Sequence, residues 1–266
     1  MRRPGLTLLE LVIVLTILAV LLAVAVQSLD GVIDQGRYDG TRRTLSEVRA
    51  ALVGTINPDA NLSGFVTDIG RPPTTLAELL TFAAPATSYP LDTDGDGVAD
   101  DTLVTGWRGP YLHLTTPGLA VRDGWGNPLA YTNVLGTLAL RSAGPDGVLN
   151  TADDVVESDV VPNDYAGTLT VNVQELVSGT PVPPTVGVGE TLRLRMFASI
   201  NGVATLTTTN LTSPAYGQSV TVPQGVRVVR AVLVNSSNAI VKRSNLVHVR
   251  VAARSSLVQT LYLGSN

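Results

Sequence analysis

The chain has 266 residues, 44% of them hydrophobic and only 15% charged, with a formal net charge of −4 and no cysteine. Without cysteine there is no disulfide framework, no thiol nucleophile and no thiolate metal site, so packing or other metal ligands must hold the fold. A mildly acidic balance without a basic patch argues against nucleic-acid binding, and the length is ample for two small domains beyond one long helix.

The first element is the run GLTLLELVIVLTILAVLLAVAV, Gly5 to Val26. From Leu6 to Val26 the one ionisable side chain is Glu10, and Thr7 and Thr16 are the other polar ones. At about 1.5 Å rise per residue the run makes a helix of roughly 31 Å, enough to cross a bilayer core. Arg2 and Arg3 precede it, so the positive-inside preference keeps the short tail in the cytoplasm and sends the rest to the far side. A removable secretory signal is a competing reading, because the small residues Ala23 to Val26 allow an A-x-A-like cut. The run is longer than the usual apolar core of about 7–15 residues. Glu10 also weighs against that reading. A carboxylate in the membrane costs about 2.5–3.5 kcal/mol at the helix centre, less near the interface, and such a cost usually marks a function. The plainer reading is a charge tolerated close to the membrane surface.

Gly5, then Leu6-Thr7-Leu8-Leu9-Glu10-Leu11, then an unbroken apolar helix, resembles the class III leader of type IV pilins and pseudopilins. The resemblance implies that a prepilin peptidase cuts between Gly5 and Leu6 on the cytoplasmic side and methylates the new amino terminus. Leu6 stands where the family usually has Phe. Glu10 becomes the fifth residue of the mature chain, and the resemblance implies that its carboxylate meets the amine of a neighbouring subunit during assembly. A buried amine needs a counter-charge, and a first-turn carboxylate also suits the positive end of the helix.

From Ser28 to Ile56 a helical pattern continues, with Ile33, Leu45, Val48, Leu52 and Ile56 on one side and Arg42, Arg43, Glu47 and Arg49 on the other. Gly31, Gly36 and Gly40 weaken the junction and leave room for a bend or local melting. In RPPTTLAELLTF, Thr75 followed by Glu78 spells a capping box for a short helix. The acidic run Asp92-Thr-Asp-Gly-Asp-Gly-Val-Ala-Asp-Asp101 has EF-hand-like spacing. Asp92, Asp94 and Asp96 take positions 1, 3 and 5, Val98 offers its carbonyl at 7 and Asp100 stands at 9. Leu103 occupies position 12 instead of Glu, and Asp101 is the candidate substitute in a shortened loop. A solvated Asp- and Gly-rich turn is the alternative.

GWRGPYL (Gly106–Leu112) and DGWGNPL (Asp123–Leu129) hold both tryptophans, each readable as a turn with a buried aromatic. In this order, ahead of an Asp-rich loop, they resemble the head of the major pseudopilin of type II secretion, with Gly124 where the family has Pro. The loop from Ala143 to Asp154 places Asp146, Asp153 and Asp154 close together, with Gly144 and Gly147 to curl the backbone. Hard oxygens in a flexible loop suit Ca²⁺, which takes 6–8 of them. The resemblance implies ligation by the side chains of Asp146, Asp153 and Asp154 and the carbonyls of Ala143, Val148 and Thr151; a solvated acidic turn is the other reading. Val155-Val156-Glu157-Ser158 replaces the family's Ile-Gly-Asn-Trp.

From about Tyr165, LTVNVQEL, TLRLRMFA, QGVRVVRAVLV, LVHVRVAA and LVQTLYL alternate in twos or form β-branched runs, and predict roughly seven strands of a β-sandwich. The expected fold is therefore α+β: a leader at 1–5, a transmembrane and assembly helix at 6–56, a pseudopilin-like head at 57–163 and a β-sandwich-like domain at 164–266. With only His113 and His248, and no nucleophile–base pair or phosphate-binding loop, an enzyme is not expected. The resemblance implies a calcium-stabilised filament subunit in the bacterial inner membrane, amino terminus cytoplasmic, that ends in a periplasmic or cell-surface filament. Its implied partners are itself, other pilins or pseudopilins, the prepilin peptidase, and an inner-membrane platform with its ATPase. Two other readings stay open. One is a surface type IV pilin with a C-terminal adhesive domain; the other is a membrane-anchored, calcium-dependent binding protein that never polymerises.

Overall fold

A computed structural model describes residues 8–54, 62–113, 120–212 and 216–265, with the backbone alone for 23–30 and 265. Gly5 and Leu6, the expected cleavage pair, lie outside the described residues.

Helix α1 is Leu8–Val53, and it runs unbroken through Gly31, Gly36 and Gly40, so the chain does not melt locally there. A Cβ at any of the three would meet open space; they lower intrinsic helicity without serving a close contact. The two ends of α1 live in different environments. Side chains 8–22 and 31–39 are exposed, whereas Thr41, Leu45, Val48 and Leu52 are fully buried. Their spacing of four, three and four lays one stripe against the rest of the protein. The helix stops at Gly54, whose φ of +74° is left-handed and whose Cβ would lie 2.0 Å from the Ser63 carbonyl oxygen. Only glycine fits that turn.

The stripe meets α2, Phe65–Ile69, every residue of which is buried. Phe65, Val66, Ile69, Leu79, Leu138, Leu140 and Val155 complete one core with Leu45, Val48 and Leu52. Leu76–Leu79 is a 3-10 turn, not an α-helix, and Thr75 makes no side-chain cap. Glu78 instead reaches Thr74, accepting from its N–H at 3.2 Å and its hydroxyl at 2.6 Å, and pairs with Arg71 at 2.9 Å. The tighter turn brings the neighbouring threonine, rather than Thr75, within reach of the carboxylate.

Two small antiparallel sheets follow. One pairs β1 (Thr87–Leu91) with β2 (Asp101–Thr105), so that the acidic run 92–100 is their connection. The other is β3 (Ala130–Val134), β4 (Thr137–Ser142) and β5 (Val155–Val156), with the loop 143–154 joining β4 to β5.

After a 3-10 turn at Pro162–Asp164 the chain becomes all strand. It runs through β6 (Ala166–Val177), β7 (Thr180–Val182), β8 (Thr191–Ile200), β9 (Val203–Leu211) and β10 (Gly217–Pro223). Then come β11 (Gly225–Val234), β12 (Ile240–Ser244), β13 (Val247–Val251) and β14 (Ser256–Ser265). Their ladders join into one nine-stranded sheet, ordered β10-β6-β14-β12-β11-β8-β9, with β13 also on β11 and β7 on β6. The β6–β14 pair is parallel. Leu169, Val171 and Val173 of β6 share a core with Leu192 and Leu194 of β8 and with Val229, Ala231 and Leu233 of β11, strands they do not pair with. The sheet therefore folds back on itself around a common interior, with β12 carrying the ladder between its arms.

Period-2 alternation gives β8 and β11 a second face. Phe197 and Val228 point away from that interior and pack on Leu91 and Leu103 of the β1–β2 hairpin. Hydrogen bonds stitch the same junction. Ser199 donates to the Asp68 carbonyl at 2.7 Å, Thr105 to the Gly202 carbonyl at 2.8 Å, and the buried Gln224 amide to the Val53 carbonyl and to Thr67. Gly70 sits so close to β8 that a Cβ would lie 1.9 Å from the Ser199 oxygen. Arg227 is the bulkiest side chain that is almost fully buried. It donates to the carbonyls of Val226 and Pro223, and burial pulls its guanidinium down to about 10. The sheet is thus seated directly on the helical part of the chain.

Candidate functional site

Glu10 lies in the first turn of the described helix and is exposed, one turn into a surface that also exposes Leu8, Leu9, Leu11, Val12, Ile13, Val14 and Leu15. Among the described residues, no helix is long and apolar enough to cross a membrane.

The two tryptophan motifs build the platform from which the acidic loops rise. In GWRGPYL, Trp107 Nε1 donates to the Glu78 carbonyl at 3.2 Å, and Arg108 and Tyr111 converge on Asp68 at 3.2 and 2.6 Å. Burial drives the Asp68 carboxyl above its usual range, opposed by the Tyr111 hydroxyl and the Arg108 charge. In DGWGNPL, Gly124 is pressed against α1. Its N–H donates to Thr41 Oγ1 at 2.9 Å, and a Cβ would fall 2.2 Å from the Arg37 carbonyl oxygen. A proline has neither the N–H nor the room, which accounts physically for glycine at this position.

The loop 143–154 hangs from that second motif. Asp123 is buried; one of its carboxylate oxygens accepts from the N–H groups of Trp125 and Asn127, and the other from Ser142 Oγ at 2.6 Å. Ser142 Oγ accepts from Gly144 N–H, and the Asn127 amide donates to the Gly144 carbonyl at 2.9 Å. Sequence reasoning missed Asp123, Asn127 and Ser142 as positioning residues, although the Asp-x-x-x-Asn spacing of a self-bonded turn was there to read.

The loop is exposed from Pro145 to Ala152, Asp153 and Asp154 are half-buried, and several oxygens gather around the Thr151 hydroxyl. Thr151 Oγ1 lies 2.9 Å from the Val148 carbonyl, 2.8 Å from Asp153 Oδ1 and 3.3 Å from Asp154 Oδ1. A hydroxyl has a single proton, so three acceptors crowd one donor. The Thr151 hydroxyl, in first place, holds the Asp153 carboxyl below its usual range. Asp146 flanks this cluster; its Oδ1 accepts from Val148 N–H at 2.8 Å, its own N–H donates to Asp153 Oδ2 at 3.3 Å, and its side chain lies beside that of Asp153. Of the expected ligand atoms, the Val148 carbonyl and the Asp153 and Asp154 carboxylates converge on the Thr151 hydroxyl, which is not the Thr151 carbonyl expected, and the Asp146 side chain lies beside Asp153. The donor chemistry nonetheless suits a hard cation.

The other acidic run has a different surrounding. Carboxylate oxygens of Asp92, Asp94 and Asp96 lie within 4.8 Å of one another. Asp92 accepts from the N–H groups of Gly95 and Gly97, and Asp96 from that of Val98. The expected contribution of Asp100 and Asp101 is not seen. Asp100 folds back onto the N–H and hydroxyl of Thr93 and pairs with Arg230, and Asp101 meets His248 Nε2 at 2.6 Å. Asp94, almost fully buried, pairs with Arg243 at 2.5 Å. Burial opposes ionisation of Asp100, but the Thr93 hydrogen bonds and the Arg230 guanidinium outweigh it and hold the carboxyl below its usual range.

With this geometry in view, the comparisons with known proteins bear on one end of the chain. Residues 1–26 match the prokaryotic N-terminal methylation motif. That motif supports a type IV pilin-like, prepilin-processed protein that assembles with other pilins, and it points to a structural subunit and not to an enzyme. No curated protein matches the chain. A leucine-rich repeat protein from Bacteroides thetaiotaomicron VPI-5482 aligns at 13% identity over 69% of this chain and 24% of that one, with a TM-score of 0.24. The chain thus spans about a quarter of that protein, and at this score the likeness decides nothing.

The depressed Asp100 carboxyl has a consequence for acid stability. Its ionised form is favoured in the folded state, so its contribution is complete above the unfolded value of about 3.9 and is lost as pH falls through the lower folded value. Asp100→Asn keeps an acceptor for Thr93 but loses the charge. The urea midpoint of the variant should lie below that of the natural chain at pH 6, and the gap should close as pH falls below the unfolded value of about 3.9 and through the lower folded one. A gap that stays constant across this range would rule the carboxylate out as its source.

Proposed function

We propose that the chain is a structural subunit of a type II secretion pseudopilus or a related type IV pilus-like filament. The methylation motif at residues 1–26, followed by a helix whose first part is exposed and apolar, carries this reading. The subunit waits in the bacterial inner membrane, with the apolar run 6–26 as its span and its tail in the cytoplasm. Prepilin peptidase cuts after Gly5, and the helix passes from lipid into a bundle with neighbouring copies, other pilins included, driven by an assembly platform and its ATPase. Burial among neighbouring helices explains the exposed leucines and valines, which a monomer in water would not favour.

Glu10 then acts as the counter-charge for the amine of an adjoining subunit. Calcium is held by the loop 143–154 through the side chains of Asp146, Asp153 and Asp154 and the carbonyls of Ala143, Val148 and Thr151, a reading supported by the crowding of Val148, Asp153 and Asp154 oxygens around the Thr151 hydroxyl; a bound cation would add its binding free energy to stability. The nine-stranded sheet favours a specialised subunit, and display of that sheet on a surface pilus is the second reading it supports.

Two outcomes are expected. Glu10→Ala should leave cleavage after Gly5 intact but lower the yield of sheared filament by roughly tenfold or more, the loss that goes with about 1.4 kcal/mol per contact. Normal filament yield would remove Glu10 from assembly. Chelation of calcium should lower Tm by about 5–10 °C, from roughly 2.7 kcal/mol of linkage at saturating metal, and the paired change Asp153→Asn with Asp154→Asn should abolish that shift. A Tm indifferent to chelator would end the calcium reading.

A further inference from the structure

The face of the large sheet that meets the β1–β2 hairpin is basic by register. Arg195 on β8 stands directly opposite Arg230 on β11, and Arg243 on β12 opposite Val232 of the same strand. Like charges facing each other across a ladder are destabilising unless something neutralises them. The 92–101 loop does so, from an element far away in sequence. Arg230 donates to the Asp100 carboxylate and to Thr93 Oγ1 at 2.7 Å, with Asp94 at 3.8 Å. Arg243 holds Asp94, and Arg195 Nη2 donates to the Asp92 carbonyl at 2.9 Å. His248 meets Asp101 beside them. Beneath this layer Leu91 and Leu103 pack on Phe197 and Val228, so water is kept from one side of the pairs.

The geometry points to a loop that is neutralised from within by arginines and takes no calcium, despite its EF-hand-like spelling. Calcium asks for six to eight oxygens. Here the Asp94 side chain is 1% exposed and faces two guanidinium groups, Asp100 is committed to Thr93 and Arg230, and Asp101 to His248. Asp92 and Asp96 carry no arginine partner on their carboxylates, but they lie within 4.8 Å of Asp94, so a divalent ion among the three would sit next to fixed positive charge. The arginine face does for this loop what a cation does in an isolated one, and the docking of the sheet becomes independent of calcium in the medium. The contrast with the 143–154 loop rests on the calcium reading above; the neutralisation of 92–101 does not.

Hydrogen exchange of the full-length chain in detergent, with calcium and with chelator, separates the two. The amides of Thr93, Gly95, Gly97, Val98 and Asp100 are all hydrogen-bonded within or beside the loop and report its order. Chelation should change their exchange by less than about twofold, whereas Arg230→Gln with Arg243→Gln should speed it by about tenfold or more in chelator. Faster exchange at 92–101 on chelation of the natural chain would overturn the inference, as would an unchanged loop in the double variant. The natural-chain arm needs no substitution and stands even if the variant fails to fold. Failure of the calcium reading would show elsewhere, as an unresponsive 143–154 segment.

Discussion

Everything in this chain is arranged around one helix that is solvated along most of its described length and buried only at its far end. The stripe Thr41, Leu45, Val48 and Leu52 is the floor of one core, and Gly124, α2 and the β3–β5 sheet are placed by what they contact on it. Thr41 shows how close the fit is, since its hydroxyl bonds Arg37 within the helix and receives the Gly124 N–H from outside. A helix with such an asymmetric burial has a free apolar end that no other described part of the chain covers, and this is the feature the filament reading uses.

Charge does the second half of the work. Three arginines and one histidine of the strand-rich region find carboxylates in the preceding part of the chain, and a fourth arginine finds a backbone carbonyl there. Arg230 and Arg243 meet the β1–β2 loop, His248 meets Asp101, Arg254 meets Asp164, and Arg195 caps the Asp92 carbonyl. Burial opposes ionisation of Asp164, yet the Arg254 hydrogen bond, the Val161 N–H and the charges of Arg254 and Arg49 keep its carboxyl below the usual range. Arg49 belongs to α1, so a single carboxylate ties the helix, the 3-10 turn and the start of the sheet. Desolvated pairs of this kind add little net stability over apolar packing, but losing one partner is costly, and that asymmetry fixes orientation.

Local pattern revealed the elements whose causes are local. The three-and-four spacing in α1 and the alternation in LTVNVQEL and TLRLRMFA appear where spacing put them. What stayed hidden depends on distant partners. Arg195 and Arg230 alternate with core residues and could face solvent for all that spacing says; only the arrival of the β1–β2 loop shows that their face is covered. The same holds for Asp100 and Asp101, whose EF-hand-like positions carry no hint of Arg230 or His248. Thr75 was misread for a local reason: Thr74 and Thr75 are adjacent, and a 3-10 turn shifts the partner of Glu78 by one residue. A single folded-back sheet, instead of two stacked ones, hinges on the short strand β12, which no composition signal distinguishes.

The central claim is that the amino-terminal run is a processed assembly helix. The most direct measurement is the intact mass and amino-terminal sequence of the protein isolated from its native membrane. A chain beginning at methylated Leu6 is the predicted result. A chain that still begins at Met1 with the peptidase present, or one that begins after Ala25, would contradict the account and leave an anchored or a secreted protein in place of a filament subunit.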